Sequence, residues 1–98
     1  MQYKRIVIKL GTNLITGGSG SLDLKIMADL AGQVAKLHHS GHELIIVSSG
    51  AVAAGRDLLG IKNKRKDIPF TQVMASVGQN RLMHLYDELF SIFGITVS

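Results

Sequence analysis

Lys9 is the one charge in the run Ile6, Val7, Ile8, Lys9, Leu10, and Gly11 follows it two positions later. A charge in a strand core costs several kcal/mol unless it has a partner. Gly11 lets a backbone come close to an anion, and exposed N–H groups there can donate to it. Lys9 adds a positive charge where the run ends. These are tools for phosphoryl transfer, in which catalysis is mostly positioning plus neutralisation of charge on the moving group. The alternative is that the Lys9 stem packs while its ammonium reaches solvent.

A second candidate set is Ser48, Ser49, Gly50 and Ala51, which follows the apolar run at 43–48. N–H groups at the start of a helix bind carboxylates and phosphates. Ser49 could be a nucleophile, a ligand for a substrate, or an N-cap. The nucleophile elbow needs G-x-S-x-G, and Val47 stands at its first glycine position, so that reading fails. Substrate binding and capping are compatible. Two common phosphate fingerprints are absent: no G-x-x-x-x-G-K-[ST] occurs, and Asp23 stands where G-x-G-x-x-G would need its last glycine after Gly18 and Gly20. His38, His39, His42 and His84 make neither H-E-x-x-H nor a cysteine–histidine spacing, so no metal site is expected. With no cysteine there is neither a disulfide framework nor thiol chemistry.

The elements that must hold these residues follow from periodicity. Residues 4–10 read as a strand rich in β-branched residues, apolar on both faces and therefore buried and parallel. Residues 11–21 read as a glycine-rich loop. A helix is predicted over 23–39, with Met27, Leu30, Ala31, Val34 and Leu37 or His38 on one face, Ser21 or Asp23 as its cap and Gly41 to end it. A second buried strand is predicted at 43–48, then a helix of small residues to about Leu59. A long helix is predicted over roughly 71–93 with Met74, Val77, Leu82, Leu85, Leu89 and Ile92 as its stripe. Gly78 interrupts it at a cost of about 1 kcal/mol, which points to close backbone packing. Residues 95–98 read as the start of a third strand.

This alternation gives an α/β domain with a parallel sheet and helices on its faces. Ligands bind beyond the carboxyl ends of such strands, so the two candidate loops meet if their strands are neighbours. A sheet stopping at its third strand would leave an open edge and an under-covered face, and the sequence therefore reads as a piece of a larger domain.

Composition sets the outer limits. The 98 residues are 46% hydrophobic and 18% charged, as in one small globular domain. No apolar run approaches the ~18 residues of a membrane span. The first residues lack the h-region of a signal peptide, and a cytoplasmic home is expected. The net charge of +4 is concentrated in Lys62, Lys64, Arg65 and Lys66, with no aromatic among them. That run reads as a solvated loop between Gly60 and Pro69, or as an attractor of an anionic substrate such as a nucleotide. Nucleic-acid binding is not expected.

Three blocks, VIKLGTNLIT, IIVSSGAVAAGR and QVMASVGQNRLMHLYDELFSIFGI, together resemble the N-terminal part of the glutamate 5-kinases, a branch of the amino-acid kinase family. The likeness is nearly collinear over the whole chain. Acetylglutamate kinases typically have a G-G-G-rich second loop and aspartokinases typically begin K-F-G-G-T-S, whereas this chain has KLGTN and SSGA. The kinase half of pyrroline-5-carboxylate synthase is similar and stays open by motif.

The resemblance implies a parallel-sheet three-layer sandwich of the amino-acid kinase type. Residues 1–98 would be the N-terminal portion of its single domain, cut after the third strand begins. It implies transfer of the ATP γ-phosphoryl group to the side-chain carboxylate of L-glutamate, the first step of proline biosynthesis. Mg²⁺ would accompany the nucleotide, proline would be the feedback inhibitor, and the full-length protein would be a homo-oligomer. By position, Lys9 matches the family's catalytic lysine on the transferring phosphoryl group, and Gly11 and Thr12 match its phosphate-side loop. Ser49, Gly50 and Ala51 match the glutamate-binding segment. Asn13 stands where many members have serine, which leaves its side-chain role open. The downstream aspartate, asparagine and second lysine of the family site would lie beyond Ser98, so the isolated segment is expected to be inactive. A rival of another class is a non-catalytic binding module using its basic run on RNA, with salt-sensitive binding.

Overall fold

The two apolar runs form neighbouring parallel strands in a computed structural model that describes residues 4–61 and 67–98. Strand β1 (Arg5–Leu10) pairs with β2 (Glu43–Ser48) in a register running from Arg5 opposite Glu43 to Leu10 opposite Ser48. The connection passes through α1 (Thr12–Thr16) and α2 (Leu24–His39), the kind of crossover that parallel pairing requires. Helices α3 (Ala51–Leu59) and α4 (Ile68–Ser91) follow β2. The basic run at 62–66 lies outside the described residues.

Helix starts are written in the sequence. The Asp23 carboxylate accepts from the Ile26 N–H at 3.0 Å and caps α2. Asp67 does the same for Phe70 at 3.2 Å, and Pro69 in the first turn is pre-set for helix, so α4 begins three residues before the expected 71. Helix α2 ends at His39, with Gly41 beyond it at φ 97°.

The core lies between one face of the sheet and the helices. Ile8, Leu44 and Ile46 pack against Met27 and Val34 of α2 and Leu82 and Phe90 of α4. Helices α3 and α4 meet backbone to backbone: a Cβ on Gly78 would overlap the Ala51 carbonyl, and one on Gly55 would overlap the Met74 carbonyl. This is the close approach that the glycine interrupting α4 implied.

Several expectations need correction. The strands are not buried on both faces: Val7, Ile45 and Val47 are 66%, 52% and 50% exposed. No described element covers their side of the sheet, so the described residues form two layers rather than three. Arg5 and Glu43 pair across that open face at 2.8 Å, an exposed ion pair of small net worth. Residues 11–21 are not all loop, because α1 occupies the first half before Gly17 turns the chain at φ 62°. Residues 95–98 form no strand. The Ile95 N–H returns to the Phe90 carbonyl at 3.1 Å, and Ile95 and Val97 pack against the core without joining a ladder. Their alternation secures burial but not pairing, and a cavity of about 500 Å³ separates this tail from β2. Ile92, expected in the α4 stripe, is 76% exposed because the helix ends at Ser91. Tyr86 and Phe90 fill the core instead.

Candidate functional site

Because β1 and β2 are neighbours, the loops after them meet at one end of the sheet. The Ser49 N–H donates to the Leu10 carbonyl at 3.0 Å, which extends the parallel ladder by one residue. One step further on, the Thr12 hydroxyl donates to Ser49 Oγ at 3.0 Å. Thr12 is held in turn from inside α1. The buried Thr16 hydroxyl donates to the Thr12 carbonyl at 2.7 Å and accepts from the Gly18 N–H at 3.2 Å, so this interior polar group is fully used.

Ser49 is not the cap of α3. The N-cap is Gly50 at φ 111°, which has no side chain to cap with, and the Ser49 hydroxyl is turned toward Thr12 instead. Gly50 is buried beneath α1, and a Cβ there would sit 2.5 Å from Ile15 Cδ1 with Leu22 Cδ2 close by. Conformation and packing both demand glycine at that position. The first intrahelical bond of α3 runs from the Ala54 N–H to the Gly50 carbonyl at 2.9 Å. The N–H groups of Ala51, Val52 and Ala53 come before it and have no partner within the helix, which suits them to an anion.

Gly11 presents the opposite case. Its φ of −79° is open to any residue, and a Cβ added there would meet nothing within 4 Å. The chain itself does not require a glycine at this point. What the glycine keeps clear is the space in front of the backbone where β1 passes into α1.

Lys9 sits beside Val47 in the register and is exposed on the open face of the sheet. The supposed charge in a strand core is therefore no such thing, since the face it lies on has no cover. Among the described residues its ammonium has neither a hydrogen-bond nor an ion-pair partner.

Two residues that sequence reasoning missed brace these loops. Ser48 Oγ donates to the Ser49 carbonyl at 2.9 Å and lies 2.6 Å from the Tyr86 hydroxyl. Either hydroxyl can be the donor of that pair, and each gives the other a polar partner. Burial pushes the Tyr86 phenol above its ordinary value, against the opposing effect of the Ser48 bond, and it stays protonated at neutral pH. A tyrosine within an apolar helical stripe was a usable signal, because a buried phenol normally finds a polar partner. Asp57 accepts from the Ser21 hydroxyl at 2.7 Å and from the Leu22 N–H at 3.0 Å. No local pattern announces that contact. Among the described residues no group of three or more His, Asp or Glu is arranged to hold a metal ion.

The sequence profile of the amino acid kinase family matches residues 4–98. The glutamate 5-kinase of Dehalococcoides mccartyi strain CBDB1 is 58% identical over 96 residues, covering 98% of this chain and 26% of the relative. The glutamate 5-kinase of Geobacter sulfurreducens is 52% identical over 97 residues, covering 99% and 26%. That of Aquifex aeolicus is 50% identical over 93 residues, covering 95% and 26%. The chain spans about a quarter of the length of the curated relatives it matches. A match over residues 4–98, which takes in every described strand and helix, means that the chain belongs to the amino acid kinase family.

Proposed function

We propose that the chain is the N-terminal part of a glutamate 5-kinase, contributing the phosphate-side and glutamate-side loops of one active site. The observation that carries this reading is the Thr12–Ser49 hydrogen bond, which joins the two loops that the family resemblance assigns to the two substrates. The residues present suit anionic ligands. Lys9 offers an unneutralised ammonium, Gly11 leaves open space before its backbone, and α3 begins with free N–H donors.

In this reading Ser49 and the N–H groups from Ala51 onward hold the glutamate carboxylates, and Gly50 fixes the turn that aims them. Gly11 and Thr12 face the ATP phosphates, and Lys9 neutralises charge on the γ-phosphoryl group as it moves. A glutamate side-chain oxygen forms the new bond to γ-phosphorus while the bond to the bridging oxygen breaks, leaving ADP and γ-glutamyl phosphate. No protein nucleophile is needed, only orientation and charge neutralisation. Mg²⁺ bound to the nucleotide would supply further neutralisation. This segment adds no metal cage among its described residues.

The same reading makes residues 1–98 part of one larger domain with a third layer over Val7, Ile45 and Val47, the side left open here. It carries with it a cytoplasmic location, a homo-oligomeric full-length protein and proline as feedback inhibitor. No helix among the described residues is long and apolar enough to cross a membrane. The test is an assay of the full-length protein with ATP and L-glutamate, L-aspartate or N-acetylglutamate in competition. Phosphorylation of glutamate is expected. Phosphorylation of aspartate or acetylglutamate without glutamate would refute the reading.

A further inference from the structure

We infer that Asp57 is a positioning residue for this site, tethering the turn after α1 to α3 so that Thr12 stays against Ser49. This rests on the functional reading above. Asp57 is exposed on α3 and lies six residues beyond Ala51, about 9 Å along the helix axis at 1.5 Å per residue. It acts through the turn rather than on a reacting group.

Leu22 packs against the core and the Asp23 N–H donates to the Ile15 carbonyl at 2.8 Å, but the glycines between Ile15 and Leu22 leave the turn freedom to lose. Gly17, Gly18 and Gly20 all have positive φ, at 62°, 84° and 83°, and glycine-rich backbone has the most conformational freedom to lose. Among the described residues, the hydrogen bonds of residues 17–22 other than those to Asp57 stay local. The Ser19 hydroxyl and the Gly18 N–H reach back to Thr16, and the Ser21 N–H donates to Ser19 Oγ. These bonds tie the turn to α1 but not to the rest of the molecule.

Asp57 supplies the missing link. Its two carboxylate oxygens take separate donors, Ser21 Oγ at 2.7 Å and Leu22 N at 3.0 Å, from residues 36 and 35 positions away. Hydrogen bonds to an ionised carboxylate are among the stronger ones. Leu22 and Ile15 then close over Gly50. α1 is thus fixed at both ends, by Thr12 on Ser49 just before α3 and by the turn on Asp57 within α3. Release of the second attachment would let α1 tilt, and small misplacement of reacting groups is costly in rate.

The experiment compares wild type, Asp57→Asn and Asp57→Glu in the full-length protein. Asparagine keeps one acceptor oxygen but turns an NH₂ toward the other donor, whereas glutamate keeps both acceptors. In Asp57→Asn, hydrogen exchange at the Leu22 amide should quicken about ten-fold, since a local opening is made easier. Its kcat with glutamate should fall about ten-fold. The KM for ATP and the melting temperature should stay near wild type, and Asp57→Glu should recover most of the kcat. Unchanged exchange, faster exchange with unchanged kcat, or a loss of kcat that only follows a loss of folded protein would each overturn the inference. If the wild type phosphorylates no glutamate, the functional reading falls. Leu22 exchange then decides the tether alone, faster exchange sustaining it and unchanged exchange overturning it.

Discussion

The Thr12 hydroxyl donates to Ser49 Oγ across 3.0 Å, linking residues 37 positions apart at the carboxyl ends of two paired strands. The bond consumes the Thr12 proton and leaves Ser49 its own proton to give. Ser49 is therefore oriented by one loop and still able to donate to a ligand of the other.

Replacing that hydroxyl should affect substrate more than fold. In Ser49→Ala the KM for glutamate is expected to rise about ten-fold or more, the usual scale for one hydrogen bond to a charged group. The melting temperature should change little because Ser49 is exposed. Steady-state kinetics with glutamate varied at saturating ATP measures this, and an unchanged KM would remove Ser49 from the glutamate contacts.

Tyr86 gives a pH dependence with a definite sign. Its phenol is raised above the ordinary value by burial, so the folded state disfavours ionisation. Below pH ~10 both states are neutral and this contribution to stability is fully present. As pH rises further the unfolded chain ionises first, and that stability is lost as pH climbs through the higher folded value. Tyr86→Phe should cost about 1 kcal/mol at neutral pH through the lost bond to Ser48. It should also flatten the alkaline decline, as read by urea unfolding at neutral and alkaline pH. Parallel pH profiles for the two proteins would show that Tyr86 is not the group responsible.

Gly78→Ala sets helix propensity against packing. Propensity alone favours alanine by about 1 kcal/mol in a helix interior. The added methyl, however, would overlap the Ala51 carbonyl, a backbone atom that cannot rotate away. Packing should win, with a net loss of about 2–3 kcal/mol in urea unfolding. Displacement of Ala51 would also disturb the start of α3, so the KM for glutamate should rise with it. A more stable variant would show that the two helices can separate without cost.

These contrasts mark how far the sequence was legible. Both described strands, a cap for α2 at Ser21 or Asp23, the Gly41 ending and the close approach at Gly78 follow from local rules, and the parallel pairing that unites the loops follows from strand–helix alternation. The open face was not legible, because β-branched residues on both sides of a strand record a preference for burial, not the presence of a cover. Val7 and Ile45 lack that cover here. The third strand failed for a related reason: Ile95 and Val97 alternate correctly, but a ladder needs a partner backbone within hydrogen-bond reach. Capping was one role open to Ser49 because serine commonly caps helices, but its actual partner lies 37 residues away. Asp57 was invisible for the same reason.

The central claim is that these two loops carry out phosphoryl transfer to glutamate, and Lys9 tests it most directly. Its ammonium is exposed and without a partner among the described residues, so its loss should leave the fold intact. In the full-length protein, Lys9→Ala should lower kcat with glutamate about 10²–10³-fold, the scale for removing a group that stabilises transition-state charge. Its melting temperature should match that of wild type. A Lys9→Ala enzyme with wild-type turnover would contradict the account.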